Sequence, residues 1–204
     1  MRKRLNLVME LTIALALLLG AASPACAFDA AQTFAQGRSV LSIEAGGGTQ
    51  SNLEGHRAPT NLDVWYIGLR YSLLPLPPAG PGFLHGSLEV GLEPTYQRYE
   101  DGAEGFWAGV VAHGRWHFLS LGRFVPYVEL GAGAGGTDLN TIEIDSSFAF
   151  FLAAGVGASV FITDHIALYG GYRMVHISNG NTSPRRNRGF EADTAVVGMS
   201  FYFK

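Results

Sequence analysis

A histidine, a serine and a glutamate near the end of the chain have the types and spacing of an ester-hydrolysing site. His176 and Ser178 are separated by one residue, and Glu191 follows after a segment rich in turn-forming residues. A serine hydroxyl becomes nucleophilic when a neighbouring imidazole takes its proton, and a carboxylate fixes the tautomer of that imidazole. These types indicate a serine esterase. A plainer interpretation stays open, because all three are also ordinary residues at a strand end.

Two asparagines beside these residues are candidates for a further role. Asn179 follows the serine directly, and Asn187 lies four residues before the glutamate. A side-chain amide can donate a hydrogen bond to the oxyanion of an ester intermediate, and one such donor is worth about 3 kcal/mol in known hydrolases. Both asparagines are therefore candidate oxyanion donors, although the Asn-Gly pair that begins at Asn179 is also a turn signal.

The residues around the histidine alternate as they do in a β-strand. Side chains on a strand share one face at every second residue. From Ile166 to Met174 the even positions are apolar, aromatic or glycine, and His176 and Ser178 continue that row, while Arg173 belongs to the other face. In a membrane barrel the apolar row faces lipid. A nucleophile and a base on that row suggest an enzyme whose substrate is a lipid.

The rest of the chain divides into similar alternating runs, separated by turn-rich breaks. Eight runs can be recognised, and each is about as long as the ~9–11 residues that a tilted membrane strand needs, or a little longer. They lie near 38–47, 62–73, 84–97, 106–118, 125–135, 147–161, 166–178 and 191–203.

The rows opposite the apolar ones collect charged residues. Opposite charges from neighbouring strands can pair inside a small barrel, whereas a soluble sandwich would bury them without partners. Closure also removes the strand edges that hydrocarbon does not tolerate. The predicted fold is therefore all-β, an eight-stranded antiparallel transmembrane β-barrel with a filled interior. The charged positions are Glu44, Arg70, Glu89, Glu93, Arg115, Glu129 and Arg173.

A soluble, lipocalin-like barrel is the alternative fold. It would turn its apolar rows inward and its charged rows outward. The charged rows would then have to be polar throughout, yet Trp107, Phe151 and Phe161 lie on them. The membrane barrel is the better interpretation.

The first 27 residues have the organisation of a secretory signal. Basic residues precede an apolar run from Leu11 to Leu19, and small residues precede a cleavage point after Ala27. The predicted domains are thus a signal peptide, 1–27, and a barrel, 28–204. Acylation at Cys26, as in a lipoprotein, is the alternative, although the context of this cysteine is a poor match. The remaining 177 residues have no cysteine and carry 11 basic against 16 acidic residues, a poor composition for nucleic-acid binding.

With both chain ends in the periplasm, the breaks at 48–61, 98–105, 136–146 and 179–190 face the outside of the cell. The breaks at 74–83, 119–124 and 162–165 then face the periplasm. The last outer break carries Arg185, Arg186 and Arg188, whose guanidinium groups could bind phosphates. The alternative is a solvated loop whose charges bind nothing specific.

The motif His176-x-Ser178-Asn179, followed by Asn187-x-Gly189-x-Glu191 on the last strand pair, resembles the outer-membrane lipid A 3-O-deacylase family (PagL-type, often labelled acyloxyacyl hydrolase). The resemblance covers mainly the last third of the chain. It implies that the protein hydrolyses the ester-linked 3-hydroxyacyl chain at position 3 of lipid A, the lipid part of lipopolysaccharide, in the outer membrane.

The resemblance also implies a role for each site residue. Ser178 would be the nucleophile, His176 the base and Glu191 the acid. The family uses an asparagine for the oxyanion, for which Asn179 is the first choice and Asn187 the second. Asp193 is the alternative acid, because it shares the outward phase of the last strand. The arginines at 185, 186 and 188 would bind the phosphates of the substrate.

No metal or other cofactor is expected, because His56, His85, His113, His117 and His165 lack close ligand spacing. A homodimer is compatible with a catalytic patch on the outer surface. The competing function is a non-enzymatic small outer-membrane barrel, an adhesin or a structural protein. It would share the fold, and fold alone does not decide function.

Overall fold

The computed structural model describes residues 28–51, 60–182 and 184–204, which form a closed barrel of eight antiparallel strands. Each strand pairs with the next one in the chain, and the last closes on the first. The predicted signal peptide lies outside the described residues. No helix in the described ranges is long and apolar enough to cross a membrane. The strands are β1 Ser39–Gln50, β2 Asp63–Leu73, β3 Gly86–Glu100, β4 Gly105–Phe118, β5 Phe124–Thr137, β6 Phe148–Phe161, β7 Ile166–Ser178 and β8 Phe190–Phe203.

The predicted eight-stranded fold is confirmed, and the strand ends differ by a few residues. β3 shows the largest difference, because it begins at Gly86 and continues to Glu100. Its start is delayed by a short 3₁₀ helix, Gly82–Leu84, in the preceding turn. Its end is extended because alternation continues, with the Tyr99 hydroxyl buried in the interior and donating to Gln97 at 2.5 Å.

The apolar rows face outward and the charged rows face inward. Leu130 is 68% exposed and Val197 is 63% exposed, although both lie in the middle of strands. This orientation excludes the lipocalin-like alternative, which needs apolar rows inside. An outward apolar band around a polar interior is what a membrane barrel requires.

The inward charges pair with one another across the lumen. Arg70 contacts Glu44 at 2.8 Å and Glu93 at 2.7 Å. Arg173 bridges Glu44 at 2.5 Å and Glu129 at 2.8 Å. These groups are almost fully buried, so the removal of one partner would leave an uncompensated charge, which costs about 3–5 kcal/mol. The network therefore fills the middle of the barrel with paired charges.

The end of the barrel where β1 begins and β8 ends is closed by the segment before β1. A single helical turn, α1 Ala30–Thr33, leads to Phe34, which is completely buried inside the mouth of the barrel. Its ring lies 5.3 Å from the ring of Tyr202 and 5.6 Å from that of Phe161. This segment is a plug that seals the lumen.

The proline-rich turn between β2 and β3 folds back against the outside of the barrel. Backbone hydrogen bonds of 2.8 Å join Ala79 and Gly86 in both directions. The ring of Phe83 stacks on that of Phe118, an outward residue of β4, at 5.5 Å. The turn therefore covers part of the apolar outer surface of the barrel.

The opposite end, called the outer end here, is covered by the β5–β6 loop, residues 138–147. Leu139 and Ile144 of this loop are buried in one apolar cluster with Leu62, Trp107 and Phe190. The same loop pairs with the β7–β8 loop, residues 179–189, through an isolated bridge between Ile144 and Asn187. The β5–β6 loop is thus hydrogen-bonded to the segment that leads to Glu191.

Candidate active site

His176 and Glu191 face each other across β7 and β8 on the outside of the barrel. They are direct partners in the strand register, and His176 Nδ1 lies 2.8 Å from Glu191 Oε1. Their side chains are 32% and 17% exposed. A carboxylate at Nδ1 favours the tautomer with its proton on that nitrogen, which leaves Nε2 able to accept a proton. The pair therefore has the arrangement of a general base and its orienting acid.

Ser178 follows on the same outward face of β7 and is half-buried. Two residues along a strand span about 6.6 Å, so a side chain at 178 can reach towards the ring at 176. Within the described ranges, no hydrogen bond joins its hydroxyl to that ring. Catalytic hydrogen bonds of this kind are often long in free enzymes and tighten when the substrate binds.

Gly189 lies directly against the imidazole of His176. The sequence identifies this glycine as part of the N-x-G motif but does not reveal that contact. Its φ is +69°, in the left-handed region. A Cβ at this position would lie 2.7 Å from His176 Cε1 and 3.1 Å from the carbonyl oxygen of Ile177. Glycine is therefore needed both for the backbone conformation and for the close approach of the ring.

The two asparagines lie together, but they have different surroundings. Asn179 is completely buried, and its Oδ1 accepts from the Asn181 amide at 2.9 Å. Its own backbone N–H donates to Asn187 Oδ1 at 2.7 Å. Asn187 Nδ2 donates to Asn181 Oδ1 at 2.9 Å. An amide nitrogen has two hydrogens, so Asn187 keeps one donor for a ligand while its oxygen is held in place.

Asp193, the alternative acid, has a different partner. It pairs in register with Met174, one outward position further from the loop than His176. The hydroxyl of Tyr172 donates a hydrogen bond to its carboxylate. The carboxylate that contacts the imidazole is therefore that of Glu191.

The three arginines lie on the β7–β8 loop with exposed side chains. Arg185 Nη1 lies 3.3 Å from Asp145 Oδ1, and Arg186 Nη2 donates to Asn140 Oδ1 at 2.8 Å. The backbone N–H of Arg188 donates to the Glu143 carbonyl at 2.7 Å. All three arginines thus lie in the loop at the outer end of the barrel that joins the strands of the histidine and the glutamate.

An open apolar groove of about 650 Å³ begins at His176 and continues over the outside of β6, β5 and β4. A second groove of about 710 Å³ extends it to Trp116 and Tyr172. Glycine and alanine form much of the floor of the two grooves, and their small size leaves the space above them open. The residues common to both grooves are Gly114, Leu130, Ala154 and Met174.

Eight antiparallel strands with an apolar outside and a filled, charged interior define a small outer-membrane β-barrel protein. Among solved structures, the chain is similar to the outer membrane enzyme PagL, with a TM-score of 0.58, 17% identity, and coverage of 78% of this chain and 97% of that one. It is also similar to Neisserial surface protein A, with a TM-score of 0.55, 14% identity, and coverage of 82% and 100%. These likenesses establish the fold.

The family follows from the sequence. A family model described as "Lipid A 3-O-deacylase (PagL)" matches residues 65–200, more than half of the chain. The chain belongs to the lipid A 3-O-deacylase (PagL) family, and the resemblance inferred from the motif is confirmed. Its class is therefore hydrolase, its substrate lipid A and its location the outer membrane. No curated protein matches the chain in a whole-sequence search.

Proposed function

We propose that the protein is a serine esterase that removes the 3-O-linked 3-hydroxyacyl chain of lipid A, with Ser178 as nucleophile, His176 as base and Glu191 as acid. The observation that carries the proposal is the 2.8 Å contact between His176 Nδ1 and Glu191 Oε1 on the outside of the barrel. A base fixed there can act on a lipid that already lies alongside the protein. No lipid has to enter the lumen.

The reaction has two steps. His176 Nε2 takes the Ser178 proton as the hydroxyl oxygen attacks the ester carbonyl, and it then gives that proton to the departing sugar oxygen. The acyl group is now bonded to Ser178. Water, deprotonated by the same imidazole, attacks this ester, releases the 3-hydroxy fatty acid and restores the serine.

We assign the oxyanion donor to Asn187 rather than to Asn179. The Asn179 side chain is completely buried, and its amide nitrogen donates to the Arg186 carbonyl at 3.4 Å, whereas Asn187 is half-buried. Asn187 is held by its oxygen, which directs its amide nitrogen, and one N–H is available for the charge that develops on the carbonyl. Asn179 then has a supporting role, because its backbone N–H orients the amide of Asn187.

The groove beside His176 is the proposed site of the acyl chain, and the arginines of the β7–β8 loop are the proposed phosphate contacts. An apolar groove that begins at the base suits a chain whose ester carbonyl must reach Ser178. The exposed guanidinium groups lie at the outer end, where the charged part of a lipid is found. Arginine binds phosphate through paired N–H groups.

The proposed chemistry is tested by the lipid A of a Gram-negative host that expresses the native chain. Mass spectrometry should show the loss of one 3-hydroxyacyl group. Unchanged lipid A in the presence of correctly folded protein would favour the non-enzymatic barrel.

The groove is tested by a bulky substitution at Ala154, which lines both of its parts. Ala154→Trp should lower kcat/KM for a long-chain ester about 10- to 100-fold, because each methylene that leaves the groove forfeits about 0.8 kcal/mol of burial. Activity on a short-chain ester should change little. The matched control is Ala195→Trp, an exposed position on β8 that lines neither groove. An equal loss on both substrates would show that the acyl chain binds elsewhere.

A further inference from the structure

Glu143, at the tip of the β5–β6 loop, has a buried carboxylate that holds three separate parts of the outer end together. The residue is only 4% exposed. Its Oε1 accepts from Gln50 Nε2 at 2.8 Å and from the Thr60 amide at 2.8 Å, and its Oε2 accepts from the Thr60 hydroxyl at 2.5 Å. The loop is thereby tied to the end of β1 and to the segment that precedes β2.

These hydrogen bonds keep the carboxylate ionised. Burial by itself raises the pKa of Glu143, but the bonds from Thr60 and Gln50 outweigh it and lower the pKa to about 2. A buried charge is tolerated only where its hydrogen bonds are supplied in full, so loss of the carboxylate would leave several donors unpaired. The contact is a strong one.

The backbone around Glu143 holds the β7–β8 loop. The Glu143 carbonyl accepts from the Arg188 amide at 2.7 Å, and the Asp145 amide donates to the Arg186 carbonyl at 3.1 Å. Ile144 and Asn187 form the bridge between these two contacts. The short segments 143–145 and 186–188 thus pair like two antiparallel strands, with Asn187 at the centre.

The paired segment continues directly into the site. Gly189, against the imidazole, follows Arg188, and Glu191 is two residues further on. The Gln50 that donates to Glu143 pairs in register with Ala192 on β8, next to Glu191. Glu143 therefore contacts the start of this segment through its backbone carbonyl, and its carboxylate contacts Gln50, which lies beside the end of the segment.

We propose that Glu143 is a positioning residue for the proposed active site. Through the paired segments 143–145 and 186–188, it holds Asn187 where the amide of that side chain can donate to the oxyanion. The role rests on the proposed function and is distinct from it, since Glu143 touches neither the triad nor the substrate groove. A displacement of 1 Å at a catalytic group can cost about 10²-fold in rate. A loop that carries such a group needs an anchor of this kind.

A double-mutant cycle tests the role. Glu143→Ala should lower kcat about tenfold, a fraction of the 10²- to 10³-fold effect of removing an oxyanion donor, and should leave KM within about twofold. Glu143→Gln, which keeps an acceptor for Gln50 and the Thr60 amide, should restore most of the rate. In an Asn187→Ala background, Glu143→Ala should cost less than about twofold more, because its target is already absent. Ile142→Ala, an exposed change in the same loop, is the control.

Hydrogen exchange tests the positioning role independently of enzyme activity. Hydrogen exchange of the peptide 184–191 should be faster in Glu143→Ala, while exchange of β7 should be unchanged. Additive losses in the cycle, an unchanged kcat or unchanged exchange in an active enzyme would each overturn the positioning role alone. A folded native protein that does not deacylate lipid A would instead refute the proposed function, and the positioning role with it.

Discussion

Ser178→Ala is expected to leave lipid A fully acylated in cells where the native chain removes one 3-hydroxyacyl group. The variant loses the oxygen that attacks the lipid ester in the first step, and removal of such a nucleophile lowers kcat by about 10³- to 10⁶-fold. Lipid A extracted from the two strains and compared by mass spectrometry gives the answer. The effect on folding should be small, because Ser178 lies at the end of β7 on the outer surface.

Two controls make this result specific. Heat-modifiable migration on gels should show that the variant barrel is folded. Ser147→Ala removes another hydroxyl at the outer end, from an exposed position in the β5–β6 loop, and should retain full activity. Deacylation by folded Ser178→Ala would mean that another group is the nucleophile.

Glu191→Gln is expected to lower kcat about 10³-fold with little change in KM. In the proposed mechanism the carboxylate accepts from His176 Nδ1, which lies 2.8 Å away, and this leaves Nε2 without a proton. A glutamine amide can donate to Nδ1 instead, which stabilises the tautomer that cannot act as a base. Kinetics on a soluble ester in detergent would separate kcat from KM.

Asp193→Asn is the matched control for Glu191→Gln. It makes the same chemical change two residues further along β8, at a carboxylate that accepts from Tyr172. We expect an effect on kcat below about twofold. A larger loss from Asp193→Asn than from Glu191→Gln would assign the acid to Asp193 and contradict the geometry described above.

The strands could be predicted from the sequence because a membrane barrel repeats one physical rule along its whole length. Inward positions in the middle of the barrel face a charged lumen and outward positions face hydrocarbon, so a period of two appears in the runs. The same rule placed His176, Ser178 and Glu191 on one face. The contact between His176 and Glu191 then follows from a short connection between adjacent antiparallel strands.

The rule stops where the strands stop, and the surroundings of Asn179 could not be predicted for that reason. β7 ends at Ser178, and the chain then turns through Gly180 and Asn181, both at positive φ. Alternation says nothing about a turn. The burial of the Asn179 side chain depends on hydrogen bonds with Asn181 and Asn187, which are set by the loop as a whole.

The contacts of Glu143 could not be predicted from the sequence, because its partners lie far away along the chain. Its partners are Gln50, Thr60 and Arg188, which come from three other segments. No spacing or motif connects these positions. Only the closure of the barrel, which brings β1 beside β8, places them around one residue.

The plug at Phe34 has a consequence for the cell as well as for the fold. Between this ring and the loop that covers the other mouth, paired charges occupy the axis of the cylinder. Ions and small solutes therefore find no aqueous conduit along the described part of the chain. A bacterium can insert many copies of such a protein and remodel its surface without raising the permeability of its envelope.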